Sequence, residues 1–257
     1  TKQHPGLHPL AKGAYAWLAP SGGWGWSNAG LIVDEEESLL VDTLYDLKLT
    51  GEMLRKMRAA EPATHSIGTL VNTHANGDHC HGNELVTGAN IIASAASALE
   101  MGELTPEAMA AIMESTREPG PLSEYFQHCF GQFRFDGIRF TPPTHTFNGE
   151  LDLKIGDKQV HLLEVGPAHT RGDVLVHSPS DRVVFTGDIL FIDSTPLMWE
   201  GPAANWIKAC LLIEEMDVDF IVPGHGPITD KHGVAKVRRY LQYVHDQARI
   251  RYDAGMS

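Results

Sequence analysis

Apolar and polar positions alternate in short strand-like runs in both halves of the chain, with helical spacing in the segments between and after them. Gly13 to Leu18 alternates loosely and stops at the turn signal Pro20-Ser21-Gly22-Gly23. Ala29 to Val33 and Ser38 to Val41 read as strands joined by the acidic turn Asp34-Glu35-Glu36-Glu37, and Asp42 closes the second. Leu49 to Ala60 has helical spacing and ends at Glu61-Pro62, where proline stops it. Ile67 to Val71 reads as a short buried strand, Asn83 to Val86 as the start of a short helix, and Asn90 to Ala93 as another strand.

From about residue 94 to 132 the pattern changes to Ala-, Met- and Glu-rich helical segments at about 94–101, 105–117 and 121–131, broken at Glu118-Pro119-Gly120-Pro121. This helical insertion is expected to form a wall or lid, with Met101, Met109 and Met113 filling its core. Strands then resume. Gly149 to Ile155 and Gln159 to Val165 flank the turn Gly156-Asp157 and make a hairpin. Val174 to His177, Arg182 to Phe185 and Phe220 to Val222 follow, with a helix from near Ala203 to Met216 and a basic C-terminal helix from about Lys231 to Tyr252. No internal linker or low-complexity tract divides the chain, so residues 1–257 read as one domain.

Composition narrows the partners. The formal charge is −13 at pH 7, which argues against nucleic acid or an anionic membrane as partner. Three widely separated cysteines, Cys80, Cys129 and Cys210, give no disulfide framework, so a reducing, cytoplasmic compartment is expected. No apolar run is long enough to span a bilayer, and no charged region followed by an apolar stretch marks a signal peptide.

Chemistry concentrates in Thr73-His74-Ala75-Asn76-Gly77-Asp78-His79-Cys80-His81. Three imidazoles and a carboxylate fall within eight residues, next to the end of a strand. An irregular loop bracketed by Gly77 and Gly82 can aim them at one point, whereas a helix or strand would scatter them. Neutral imidazole and carboxylate suit zinc, iron or manganese. Matching side chains recur at later strand ends: His169 in Gly-Pro-Ala-His-Thr-Arg-Gly-Asp, Asp188 in Phe-Thr-Gly-Asp and His225 in Pro-Gly-His-Gly. Four such ends in one chain point to a metal site at one edge of a sheet sandwich.

These residues resemble the metallo-β-lactamase fold superfamily of hydrolases, and its glyoxalase-II-like branch most closely. Asp42 falls at the first motif, His74 to His79 at the His-x-His-x-Asp-His motif, and His169, Asp188 and His225 at the third, fourth and fifth. The resemblance implies an α/β fold, a four-layer αββα sandwich of two mixed sheets. It implies a first metal held by His74, position 76 and His169, a second held by Asp78, His79 and His225, and Asp188 bridging them. The departure is Asn76, where the family has histidine. An amide oxygen is a weaker zinc ligand than imidazole, so the sites are expected to be unequal and to hold one or two Zn2+, with iron or manganese as alternatives. His81 stands nearby as a replacement ligand, a substrate contact or a helix cap; Cys80 reads as a structural thiol.

The expected activity is hydrolysis of a small activated electrophile, such as an ester, thioester or lactone, by metal-activated water, with Asp78 holding the water and moving its proton. Two alternatives stay open at this point: a mononuclear iron oxygenase of the same fold, and a catalytically degenerate partner subunit. Trp24, Trp26, Phe191, Met198 and Trp199 are candidate pocket residues for an apolar substrate arm. Trp24 and Trp26 have two readings, core packing or a mobile flap. A homodimer is the expected oligomer.

Overall fold

The computed structural model describes residues 3–20, 22–118 and 120–256. Ser21 of the first turn signal and Pro119 of the helix break lie outside them.

Seven strands form the first sheet, in chain order: β1 (Gly6–Ala11), β2 (Ala14–Leu18), β3 (Ala29–Asp34), β4 (Glu37–Val41), β5 (Thr69–Val71), β6 (Asn90–Ser94) and β7 (His145–Phe147). β1 to β4 pair antiparallel, and β4 to β7 pair parallel. The second sheet runs β12 (Phe220–Val222), β11 (Val183–Phe185), β10 (Val174–Ser178), β9 (Lys158–Glu164), β8 (Glu150–Ile155), with only β11–β12 parallel. Both sheets are therefore mixed.

Period-two alternation decides which side chains meet between the sheets. Ala14, Ala16 and Leu18 of β2 point inward with Ile32, Leu39 and Val41, and face Val160, Leu162, Val174, Val176 and Phe185 of the second sheet. The opposite faces are also apolar, so each needs a helix layer. Leu31, Leu40 and Leu70 pack against Met53, Leu54 and Met57 of α1 (Leu47–Ala60). Leu175, Val184 and Ile221 pack against α6 (Ala203–Glu215) and α7 (Lys231–Asp253), around the fully buried Trp206. The result is the αββα order of layers.

Three helices occupy the apolar middle of the chain: α3 (Ala95–Glu100), α4 (Pro106–Ser115) and α5 (Pro121–Phe130). Met109 is buried and Met113 partly buried, alongside Tyr45, Phe130, Phe133 and Phe135, while Met101 is buried beside Ala75 and Cys80. The methionines thus fill core. Trp24 lies 5.9 Å from Phe130 and Trp26 lies 5.2 Å from Phe133, so the tryptophan loop packs on this helical wall.

The expected loop at the histidine cluster is corrected in one respect. Gly77–Cys80 forms a single helical turn, α2, with Asn76 in extended conformation before it. Asparagine and glycine favour such a start, and the His81 N–H closes the turn on the Gly77 carbonyl at 2.8 Å. The segment expected to begin a helix at Asn83 is a 3-10 turn over Asn83–Leu85.

Candidate metal centre

Four strand ends on one edge of the sandwich deliver polar side chains to the same place. β5 leads into His74, Asp78 and His79; the loop between β9 and β10 carries His169; the turn after β11 carries Asp188; and the turn after β12 carries His225. Their side chains form two groups, His74–His169–Asp188 and Asp78–His79–His225, each with ligand atoms within 4.8 Å of one another.

Asp188 stands between the groups. Its Oδ2 lies 3.2 Å from Nε2 of His169, 3.2 Å from Nε2 of His225 and 3.7 Å from Nε2 of His74, and its Oδ1 lies 3.1 Å from Nε2 of His79. Asp78 Oδ2 completes the second group, 3.5 Å from His225 Nε2 and 3.9 Å from His79 Nε2. Close approach of backbone makes room for Asp188. A Cβ on Gly224 would sit 2.0 Å from Asp188 Oδ1, and one on Gly187, whose φ is +49°, would sit 2.5 Å from Thr73 Oγ1.

All four imidazoles face the centre by the same ring nitrogen, because Nδ1 of each is committed elsewhere. His79 Nδ1 donates to Asp42 Oδ2 at 2.9 Å, His169 Nδ1 to the Leu197 carbonyl at 2.6 Å, and His225 Nδ1 to the Trp26 carbonyl at 3.0 Å. His74 Nδ1 is 3.0 Å from Thr73 Oγ1, whose hydroxyl donates to Asp42 at 2.7 Å. Asp42 also accepts from the Thr73 N–H at 2.7 Å and takes a left-handed φ of +63° to do so. Such partners fix the tautomer of a ligating histidine and leave its Nε2 lone pair free.

The buried groups influence one another strongly. Burial opposes the charge of Asp188, but the imidazoles of His225, His79, His74 and His169 overcome it and hold the carboxyl well below its usual range. Burial pushes His74 and His169 toward the neutral form. It opposes the charge of His79 and His225 too, yet the Asp188 and Asp78 carboxylates raise both. His74 Nε2, His79 Nε2 and Asp188 Oδ1 are buried with no hydrogen-bond partner among the described residues. Unpaired buried polar atoms cost about 1–3 kcal/mol each, so three converging on one point need a common partner. A divalent cation fits that point by charge and by donor type.

Asn76 belongs to this geometry. Its Oδ1 lies 2.7 Å from His169 Nε2. With Nδ1 donating to Leu197, a neutral His169 offers Nε2 only as an acceptor, so two lone pairs converge. That is how two ligands of one cation stand, whereas the amide turned over would donate to Nε2. His81 stands apart from both groups: it is buried, its ring centroid lies 5.5 Å from that of Tyr45 and 6.1 Å from that of Phe135. Phe191 is buried and stacks on His225 at 4.9 Å and 10°, backing that imidazole ring. Met198 and Trp199 are exposed on the strap 196–201, whose backbone N–H groups at Trp199 and Gly201 donate to the carbonyls of His169 and Ala168. The sequence marks the histidines and aspartates that converge here but not the neutral carbonyls at Trp26 and Leu197, since any residue supplies a carbonyl and no side-chain type marks it.

Residues 22–225 match the family model described as the metallo-beta-lactamase superfamily. The acyl-coenzyme A thioesterase MBLAC2 of Homo sapiens is 24% identical over 212 residues, covering 77% of this chain and 72% of that protein. The hydroxyacylglutathione hydrolase of Maricaulis maris is 27% identical over 154 residues, 58% of this chain and 44% of that one. Among solved structures, a metallo-beta-lactamase from Pontibacter korlensis superposes with a TM-score of 0.67 at 18% identity, over 92% of this chain and 98% of that one, a likeness of fold.

Proposed function

The chain belongs to the metallo-beta-lactamase superfamily, and from that premise we propose that it is a metal-dependent hydrolase acting on a thioester with an apolar acyl part. The observation that carries the hydrolase reading is the bridged pair of ligand groups, with four Nε2 atoms turned onto Asp188. The thioester class rests on the named relatives, one an acyl-coenzyme A thioesterase and one a hydroxyacylglutathione hydrolase. Zinc is the proposed ion, because imidazole and carboxylate are its usual ligands.

A divalent ion in such a site lowers the pKa of water toward 7 and polarises a carbonyl oxygen. The protein's residues do the rest. Asp42, Thr73 and the carbonyls of Leu197 and Trp26 hold the imidazoles in orientation. Asp188 is the inner carboxylate, with its side chain 4% exposed, while Asp78 and His225 are 13% and 14% exposed and mark the open side. Asp78 is therefore the carboxylate placed to orient a water molecule and carry its proton away. Trp24 and Trp26 on the helical wall, and Met198 and Trp199 on the strap, are the apolar surfaces proposed to receive the acyl arm. Met198 also lines a groove of about 650 Å³ with Pro196, Trp206, Tyr240, Val244 and Tyr252.

The test is a matched panel: an acyl-coenzyme A, the oxygen ester of the same acyl group, a lactone and a β-lactam. The thioester should give the highest kcat/KM by at least about tenfold, a difference of about 1.4 kcal/mol in the barrier. Preferred opening of the lactone or β-lactam, with no thiol released, would refute the thioester assignment.

A further inference from the structure

Three consecutive residues between β2 and β3, Trp26-Ser27-Asn28, touch both loops that supply the second ligand group. The Trp26 carbonyl accepts from His225 Nδ1 at 3.0 Å. The Ser27 hydroxyl donates to the backbone carbonyl of Asp78. Asn28 spends both side-chain N–H bonds on the turn around His225, at 2.9 Å to the Pro223 carbonyl and 2.8 Å to the Gly226 carbonyl, and its backbone N–H reaches the Gly224 carbonyl at 2.8 Å. Its remaining oxygen accepts from the Ala19 N–H at 3.0 Å, which ties the segment to the end of β2. Ser27 and Asn28 are 1% and 3% exposed, so these bonds do not compete with water.

We propose that Trp26-Ser27-Asn28 is the positioning segment of the Asp78–His79–His225 group and sets the affinity of the ion held there. The two loops lie in different halves of the chain and in different sheets: Asp78 follows β5 and His225 follows β12. Besides the ligand residues themselves, this short stretch spans them directly. It touches no ligand of the His74–His169–Asp188 group by side-chain hydrogen bond, so its effect falls on one group. The backbone adds a reason: Asn28 N–H holds the Gly224 carbonyl at 2.8 Å, one residue before His225. The segment therefore fixes the turn that presents His225.

Hydrogen-bond partners of ligating residues are worth about 10–100-fold in metal affinity. The experiment compares zinc affinity, by chelator competition on metal-stripped protein, for the native chain, Ser27→Ala, Asn28→Asp and His225→Ala. His225→Ala identifies which ion belongs to the second group. Ser27→Ala and Asn28→Asp should weaken that same ion at least tenfold and leave the other within about twofold, with thermal unfolding of the metal-free protein little changed for Ser27→Ala. Asn28 makes four hydrogen bonds, and if Asn28→Asp does not fold, Ser27→Ala alone decides. Native affinity for the second ion in Ser27→Ala, or equal loss of both ions in step with the melting temperature, would overturn the assignment. The readout is metal affinity, so it stands apart from whether the substrate is a thioester.

Discussion

Asn76 is where this chain departs from its family's ligand set, and the geometry gives the departure a meaning. Its amide oxygen stands beside the His74–His169–Asp188 group, 2.7 Å from His169 Nε2, so the position faces the proposed ion. Amide oxygen is the weaker donor to zinc, and the group should bind less tightly than its neighbour. Asn76→His should therefore tighten the first ion by at least about tenfold, measured by zinc competition, and raise the metal content recovered after purification. Unchanged affinity would mean that the amide faces His169 as a hydrogen-bond donor and holds no ion. At Asp173 the same burial has a different consequence. Its carboxyl accepts from Thr170 N–H and hydroxyl, yet burial outweighs these bonds and pushes it up to about 7 from 3.8. Between those values the folded chain holds a proton that the unfolded chain has lost, so stability falls as pH rises from about 4 to 7. The difference is on the order of 4 kcal/mol over the window. Denaturant unfolding of the metal-free protein should show this slope in the native chain and a flatter one in Asp173→Asn; parallel slopes would contradict it.

The elements most legible in the sequence were those with one clear period. β2, β3, β4 and β10 follow alternating or unbroken apolar runs, and α7 was placed to within one residue at its C-terminus. β1 and β7 were missed. Gly6–Ala11 is an edge strand interrupted by His8 and Pro9, and His145–Phe147 is three residues long with two of them exposed, so neither shows a pattern that local reading can use. The turn of helix at Gly77–Cys80 was likewise hidden, since four residues carry no 3.6 period. The helical wall depends on aromatic contacts rather than on propensity. Phe133 is buried against Trp26 at 5.2 Å and Tyr45 at 5.0 Å. Phe133→Ala should cost about 3 kcal/mol and expose residues 105–135 to limited proteolysis before the sheets unfold. Nicking that appears elsewhere first would show that the wall is not the weaker unit.

At the scale of the molecule, the site lies along one edge of the sandwich, where ends of strands from both sheets meet. That is why candidate ligands 151 positions apart, from His74 to His225, show together in the sequence: each set stands after an apolar strand and beside an alanine or glycine. The partners that orient them were less visible. Asp42 and Thr73 carry a side-chain signature, but the carbonyls of Trp26 and Leu197 meet their imidazoles only once the chain has folded. Among the described residues no helix is long and apolar enough to cross a membrane. The most direct test of the whole scheme is a zinc titration into metal-stripped protein, with thioester hydrolysis followed at each step by thiol release. Hydrolysis should be absent without metal, rise with the ion held by Asp78, His79 and His225, and be lost again on chelation. Thioester turnover by metal-stripped protein at the native rate, or a chain that takes up no zinc at all, would contradict it.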